Sequence, residues 1–230
     1  MKYSPHKYQE LAEEHIYEHP RCGLFLEMGL GKTVVTLTAL YNLMYDRFEI
    51  GKALVIAPLR VAEDTWSRES KKWDHLQGLT ISKILGTPTQ RRRALAREAD
   101  IYIINRENVV WLCDELSQVG DGWMFDAVVI DELSSFKSPK AQRFRALRKY
   151  ISRSSRVIGL TGTPAPNGLI DLWSQIYLLD GGERLGKTIS GYRERYFTPN
   201  QRNQTTIFNY KPKPEAEDSI NQKISDICIS

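Results

Sequence analysis

Three short clusters in this 230-residue sequence carry residue types that can act together on phosphate. The first is Glu27-Met28-Gly29-Leu30-Gly31-Lys32-Thr33. Glycines at this spacing let successive backbone N–H groups turn inward, and a helix starting directly after them presents its positive end to an anion. Lys32 would reach the outer phosphates of a nucleotide, and the Thr33 hydroxyl would hold Mg²⁺. The fuller phosphate-loop pattern has a glycine five residues before Gly31, where this chain has Leu26. The second cluster is Asp131-Glu132, which offers one carboxylate for the metal and one to orient a lytic water. The third, Thr161-Gly162-Thr163-Pro164, has two hydroxyls and a flexible glycine. It has no group that transfers phosphate, so its role is a tight turn or a relay of nucleotide state.

Elements that could position these clusters follow from the hydrophobic pattern. Each cluster ends an apolar run: Cys22 to Leu26, Ala127 to Ile130, and Val157 to Leu160. Ala53 to Ala57, Leu79 to Leu85 and Ile101 to Ile104 are further strand candidates. Short uninterrupted apolar runs of this kind are expected for strands buried on both faces of a parallel sheet. Val34, Leu37, Leu40, Tyr41 and Met44 recur at helical spacing and predict an amphipathic helix. Residues 10–19 and Val61 to Trp73 also predict helices, as does a basic stretch around Arg91-Arg92-Arg93. That triple arginine suits either a solvated helix face or a nucleic-acid contact. Strands alternating with helices imply an α/β fold, a three-layer α/β/α sandwich with a mainly parallel central sheet. Ligands of such sheets sit at the carboxyl ends of the strands, where all three clusters fall.

Beyond Asp180-Gly181-Gly182 the character changes. Residues 1–180 are expected to form the nucleotide lobe and 181–230 an extension of it. Gly191 to Phe197 reads as an aromatic, basic helix, Thr198 to Thr206 as a polar stretch, and Lys211-Pro212-Lys213-Pro214 as a segment unable to continue regular structure. The chain stops on Ile227-Cys228-Ile229-Ser230 in mid-pattern, which leads us to expect a longer parent protein.

Bulk properties exclude several classes. No apolar run approaches the about 20 residues that span a bilayer, and the first residues lack a secretory core. Three distant cysteines, Cys22, Cys113 and Cys228, argue against a zinc site or a disulfide framework and for a reducing cytoplasm. Four scattered histidines leave too few ligands for a metal hydrolase or nuclease. A net charge of +4 is compatible with a polyanionic partner without requiring one.

Taken in order, these motifs resemble the N-terminal RecA-like lobe of superfamily 2 helicases, specifically the Swi/Snf-type DNA translocases. Their phosphate loop typically reads Asp-Glu-Met-Gly-Leu-Gly-Lys-Thr, which accounts for Leu26. Tyr8-Gln9 looks like the adenine-reading Q motif, the glutamine amide matching the donor–acceptor edge of adenine. Ala57-Pro58-Leu59-Arg60 and Ile104-Asn105-Arg106-Glu107 resemble motifs Ia and Ib. Asp131-Glu132 resembles motif II, and Leu160 to Pro164 with Asn167 and Asp171-Leu172-Trp173 resembles motif III and the helix after it. The compact form looks most like helicases carried by phages and prophages.

The resemblance implies ATP and Mg²⁺ as cofactors. Tyr8, Gln9 and Met28 to Thr33 would bind the nucleotide, with Lys32, Asp131 and Glu132 catalytic, and Thr161, Gly162 and Thr163 coupling. Arg60, Asn105, Lys137 and Asn167 would face nucleic acid, expected to be duplex DNA. The family usually has a histidine where this chain has Ser134, which bears on coupling. Motifs IV to VI with the arginine finger have no match after Thr163, so a second RecA-like lobe would supply them. An RNA helicase lobe and a non-catalytic nucleotide-binding or docking module are the competing readings. Thr161-Gly162-Thr163-Pro164 favours the DNA translocases over the RNA helicases.

Overall fold

A computed structural model describes residues 1–118, 120, 122–202 and 207–230 of the chain. Its centre is a seven-stranded sheet in the order β3-β4-β2-β5-β6-β1-β9, all pairs parallel. The strands are β1 (Arg21–Leu24), β2 (Ala53–Ala57), β3 (Ile81–Ile84), β4 (Ile101–Asn105), β5 (Ala127–Asp131), β6 (Arg156–Leu160) and β9 (Cys228–Ile229). Helices α1 (Lys7–Glu18), α2 (Lys32–Tyr45) and α3 (Trp66–Lys72) cover one face. On the other lie α4 (Pro88–Ala96), α5 (Val109–Ser117), α6 (Gln142–Leu147), α7 (Leu172–Asp180), α8 (Ile189–Tyr196) and α9 (Ala216–Ile224). This is the expected three-layer α/β/α arrangement.

The continuous apolar strands feed two cores at once. Leu54, Ile56, Val128 and Ile130 pack on the α5–α7 side, while Ala53, Val55, Ala57 and Val129 pack under α2. Period-two alternation sends neighbouring side chains to opposite faces, so both sets must be apolar when both faces are covered.

Helix α2 differs from the expected amphipathic pattern. Residues Val34 to Leu40 are all buried, Thr36 and Thr38 included. Its outer side is roofed by α1, with Asn42 Nδ2 donating to Tyr17 OH at 2.7 Å, and Thr38 Oγ1 meets His75 Nε2 at 2.9 Å. The helix expected over Val61 to Trp73 enters through a π-helical turn, Val61–Thr65, before α3 begins at Trp66. Arg156 ties the amino edge together: it is buried, donates to the Ile16 carbonyl at 2.7 Å, and pairs with Glu49 at 2.5 Å.

The segment after Gly182 is built into the same body. Ile220 and Ile224 of α9 and the adjacent Ile227 are buried in the α5–α7 core. The chain then enters the sheet beside β1, with Gly23 N–H donating to Ile227 O and Phe25 N–H to Ile229 O, both at 2.8 Å. His15 Nε2 meets the same Ile227 carbonyl at 2.9 Å. The reading of Lys211-Pro212-Lys213-Pro214 as irregular is corrected in part. β7 (Phe197–Arg202) and β8 (Ile207–Pro212) form an antiparallel ribbon in which Pro212 lies opposite Phe197. A two-stranded ribbon has only edges, where a missing N–H is tolerated. Of the polar stretch Thr198 to Thr206, residues 203–206 lie outside those described.

Candidate active site

Register brings the sequence clusters together. Across the sheet Leu24 of β1 lies level with Leu160 of β6, which lies level with Asp131 of β5. The loop ending at Lys32, the Thr161 turn and the Asp131-Glu132 pair therefore leave the same carboxyl edge on three adjacent strands. At about 4.8 Å per strand, they share a zone roughly 10 Å wide. A cleft of about 540 Å³ lies over it, lined among others by Gln9, Lys32, Thr33, Asp131, Glu132 and Gly162. Tyr8, Met28, Gly29 and Gly31 line it as well.

The loop is shaped by two left-handed glycines, Gly29 at φ 87° and Gly31 at φ 76°. Gly31 is the N-cap of α2 and makes no side-chain cap, so the first N–H groups of the helix are left for a ligand. The left-handed backbone at Gly31 disfavours other residues, and a Cβ there would lie 2.5 Å from Gln9 Nε2 and push that side chain aside. Leu26, at the position of the missing glycine, is buried in the α2 core and anchors the loop. Leu30 packs against the same core, while Met28 is 90% exposed.

Lys32 Nζ donates to the carbonyls of Leu26 at 2.5 Å and Glu27 at 2.8 Å. Burial holds its pKa below the ordinary lysine value, against the opposing pull of Asp131 and Glu132. Thr33 is half-buried in the same first turn. Gln9 is buried and already engaged: its Oε1 accepts the His6 N–H at 2.9 Å, and its Nε2 donates to Leu30 O at 3.3 Å. It thus braces the phosphate loop, and Tyr8 stands exposed beside it, stacked on His6 at 5.6 Å.

The acidic pair has two different environments. Burial raises the Asp131 carboxyl above its usual value, and the neighbouring Glu132 adds to this. The indole of Trp66 donates to Asp131 Oδ2 at 2.9 Å and opposes the shift, as does Lys32. Trp66 is fully buried in the α2 core, so its N–H fixes the carboxylate from a rigid position. Glu132 sits at φ 63°, a left-handed conformation that costs a non-glycine residue about 1–2 kcal/mol. Its Oε1 accepts hydrogen bonds from Thr161 Oγ1 at 2.9 Å and from Ser134 Oγ. Thr161 Oγ1 in turn accepts the Thr163 N–H at 3.1 Å. Ser134, standing where the family has histidine, is thus directly linked to the second carboxylate. A continuous polar path runs from Glu132 through buried Thr161 to the exposed Thr163.

Thr33 and Asp131 offer oxygen donors of the kind a hard divalent cation such as Mg²⁺ takes, and burial both lowers Lys32 and raises Asp131, as is common in functional clefts. The four residues assigned to nucleic acid fare differently. Arg60 and Asn167 are exposed and Lys137 is half-buried, with its carbonyl accepting from Ser174 Oγ at 2.6 Å. Asn105 is corrected: it is buried, donating to Glu107 Oε2 at 3.0 Å and accepting from Asn108 Nδ2 at 2.5 Å, so it orders its own loop instead of facing outward. Trp66, through its hydrogen bond to Asp131, is a neighbour of the acidic pair that motif reasoning missed. Its only sequence signal was a tryptophan in a helix near a strand end, which reads as packing.

No helix among the described residues is long and apolar enough to cross a membrane. Comparison with known proteins agrees with the geometry. Protein p41 of Acyrthosiphon pisum secondary endosymbiont phage 1 is 39% identical over 99% of this chain and 50% of its own length. Helicase SWR1 of Saccharomyces cerevisiae is 31% identical over 73% of this chain and 11% of its own. The Sulfolobus solfataricus SWI2/SNF2 ATPase core domain superposes with a TM-score of 0.73 at 26% identity, covering all of this chain and 43% of that one. The same core in complex with dsDNA gives a TM-score of 0.79 at 24% identity, with 44% of that chain covered. The chain therefore spans half or less of the relatives it matches. A sequence profile described as SNF2-related domain matches residues 11–220, and by that match the chain belongs to the SNF2-related domain family.

Proposed function

We propose that this chain is the ATP-binding half of a DNA-dependent motor that couples ATP hydrolysis to movement on duplex DNA. The observation that carries the reading is the convergence at one sheet edge of Lys32, Asp131 and a Glu132 already bonded to Thr161. A phosphate cradle alone would suit any nucleotide binder. A strained carboxylate tied to a second strand end suits one that must report hydrolysis elsewhere. Family membership and the resemblance to a core complexed with dsDNA support the choice of nucleic acid.

In this reading the N–H groups after Gly29 and Gly31 and the Lys32 ammonium hold the phosphates, and Tyr8 with Gln9 borders the base. Thr33 and Asp131 would hold Mg²⁺. An ion held there would neutralise charge on the phosphate oxygens. Glu132 orients the attacking water, and the Thr161-Gly162-Thr163 turn carries the change to the surface. Arg60, Lys137 and Asn167 contribute salt-sensitive, sequence-independent contacts to the duplex backbone. Residues 1–180 carry the ATP site, and 181–230 extend the same lobe and lead toward a second RecA-like lobe. The free cysteines Cys22, Cys113 and Cys228 suit a reducing cytoplasm.

The charge-neutralising arginine comes from that second lobe, and such residues are worth about 10³–10⁵ in rate. The 230-residue chain alone is therefore expected to turn over ATP slowly with little stimulation by duplex DNA. Joined to a second lobe it should become fast and more responsive to duplex DNA than to RNA. Robust DNA-stimulated turnover by the chain alone would refute the two-lobe requirement, and preference for RNA would refute the choice of polymer.

A further inference from the structure

A second cavity, of about 740 Å³, lies away from the nucleotide cleft at the other end of the sheet. Its floor is β3, the terminal strand, which pairs only with β4. One wall is α3, through Ser67, Ser70 and Lys71; the opposite wall is α4, through Arg93, Ala94 and Arg97. These helices belong to opposite layers: Trp66 of α3 packs in the α2 core, and Ala94 packs against the α5–α7 core. Both layers overhang the last strand, and the cavity fills the space where the next strand of the sheet would lie.

The backbone at this edge is open. Thr80 O accepts from Ile101 N–H, and Ile81 lies level with Ile101, so the alternation of a parallel ladder turns the N–H and C=O of Ile81 and Lys83 away from β4. No backbone or side-chain group among the described residues meets them.

The lining is strongly one-signed. It holds Lys71, Lys83, Arg93 and Arg97 and no carboxylate. Of the acids on the flanking elements, Asp64 pairs with Arg68, Glu69 with Lys72 and Glu98 with Lys52, while the exposed Glu63 does not line the cavity. Lys83 Nζ meets only the Glu63 carbonyl. The triple arginine also resolves here. Arg91 is buried against Trp111 at 4.3 Å, Arg92 pairs with Glu115 at 2.7 Å, and Arg93 alone faces the cavity. Between the cations the lining is mixed, with Ser67, Ser70, Gln77 and Ser82 beside Leu76, Leu79 and Ala94.

We propose that this slot takes an extended acidic segment of a partner protein, added to β3 as a further strand with its carboxylates between the α3 and α4 cations. An open ladder edge supplies sequence-independent hydrogen bonds, and the charge selects the occupant. A bare phosphate backbone would use the cations but not the open ladder edge, which favours peptide over single-stranded nucleic acid. The site does not depend on the nucleotide reading.

The test is fluorescence anisotropy of the full chain with a labelled peptide of about ten residues alternating glutamate and valine, a strand's length with margin. We expect saturable binding, weakened about tenfold or more by the double substitution Arg93→Glu and Arg97→Glu, both exposed positions whose change leaves the far-ultraviolet circular dichroism intact. The same peptide N-methylated on alternate residues keeps its charge and loses the ladder, and is expected to bind about tenfold or more weakly. Equal binding of the N-methylated peptide overturns strand addition. Tighter binding of an oligothymidine with the same arginine sensitivity overturns the choice of a peptide. Binding indifferent to the double substitution, or none, overturns the site.

Discussion

Asp131→Asn abolishes Mg²⁺-dependent hydrolysis while leaving the protein at least as resistant to heat at neutral pH. The activity loss follows from removing the anionic oxygen that would hold the metal, a contribution of several kcal/mol, or about 10²-fold or more in turnover. The stability effect follows from the raised carboxyl pKa, which stems first from burial. A folded-state pKa above the unfolded value means that the native protein holds the extra proton within that window. Stability therefore falls as pH rises through the window and stays lowered above it. At neutral pH the ionised Asp131 is a net cost, which asparagine removes while its own oxygen still accepts the Trp66 N–H. Thermal unfolding should show the gain fully above the folded-state pKa and none below the unfolded value of about 3.9. A variant less stable than the parent at neutral pH would show that the carboxylate is not desolvated in the way its burial implies.

Lys32→Ala is expected to weaken nucleotide binding by about 10²-fold, the value of one or two charge-assisted hydrogen bonds at about 1.5–3 kcal/mol each. Its Nζ presently donates to two carbonyls of its own loop, Leu26 and Glu27, so the ammonium is already aimed at the loop's interior. Removing it also strips Asp131 of a nearby cation, which raises the carboxyl further and reduces metal affinity at mildly acidic pH. Isothermal titration at two pH values separates these contributions: phosphate contact is lost equally at both, metal affinity more at the lower. Unchanged nucleotide affinity would place the phosphates somewhere other than the Gly29–Lys32 turn.

Much of the site was legible because it lies where strands end. Ala53 to Ala57, Ala127 to Ile130 and Val157 to Leu160 are uninterrupted apolar runs; the first stops at Pro58, and the other two stop at Asp131 and Thr161, which are costly to bury without a partner. A parallel sheet then forces those residues to one edge. What could not be read locally were the features made by long-range contact. Trp66 reaches Asp131 across 65 positions, from a helix entered by a π-helical turn. Asn105 follows an apolar strand and looks like a polar terminus, yet its loop folds Glu107 and Asn108 over it. The outer face of α2 is apolar enough to be buried only because α1 lies on it. β9 is two residues long and exists only through its pairing with β1. Helix α5 was not placed from the sequence, although Val109, Leu112, Cys113 and Leu116 fall at helical spacing and are all buried.

The role given to Gln9 also shifted with the structure. A free carboxamide could read an adenine edge by both its groups, whereas here one group caps α1 and the other holds the Leu30 carbonyl. In the proposed function, base contact and support of the Gly29–Lys32 loop would draw on the same side chain.

The most direct measurement is titration of the chain with a non-hydrolysable ATP analogue, with and without Mg²⁺. The account predicts saturable one-to-one binding that Mg²⁺ strengthens and that Asp131→Asn makes indifferent to Mg²⁺. Absence of binding, or binding that ignores both Mg²⁺ and Asp131, would contradict the assignment of the cleft between Lys32 and Asp131 as a nucleotide site.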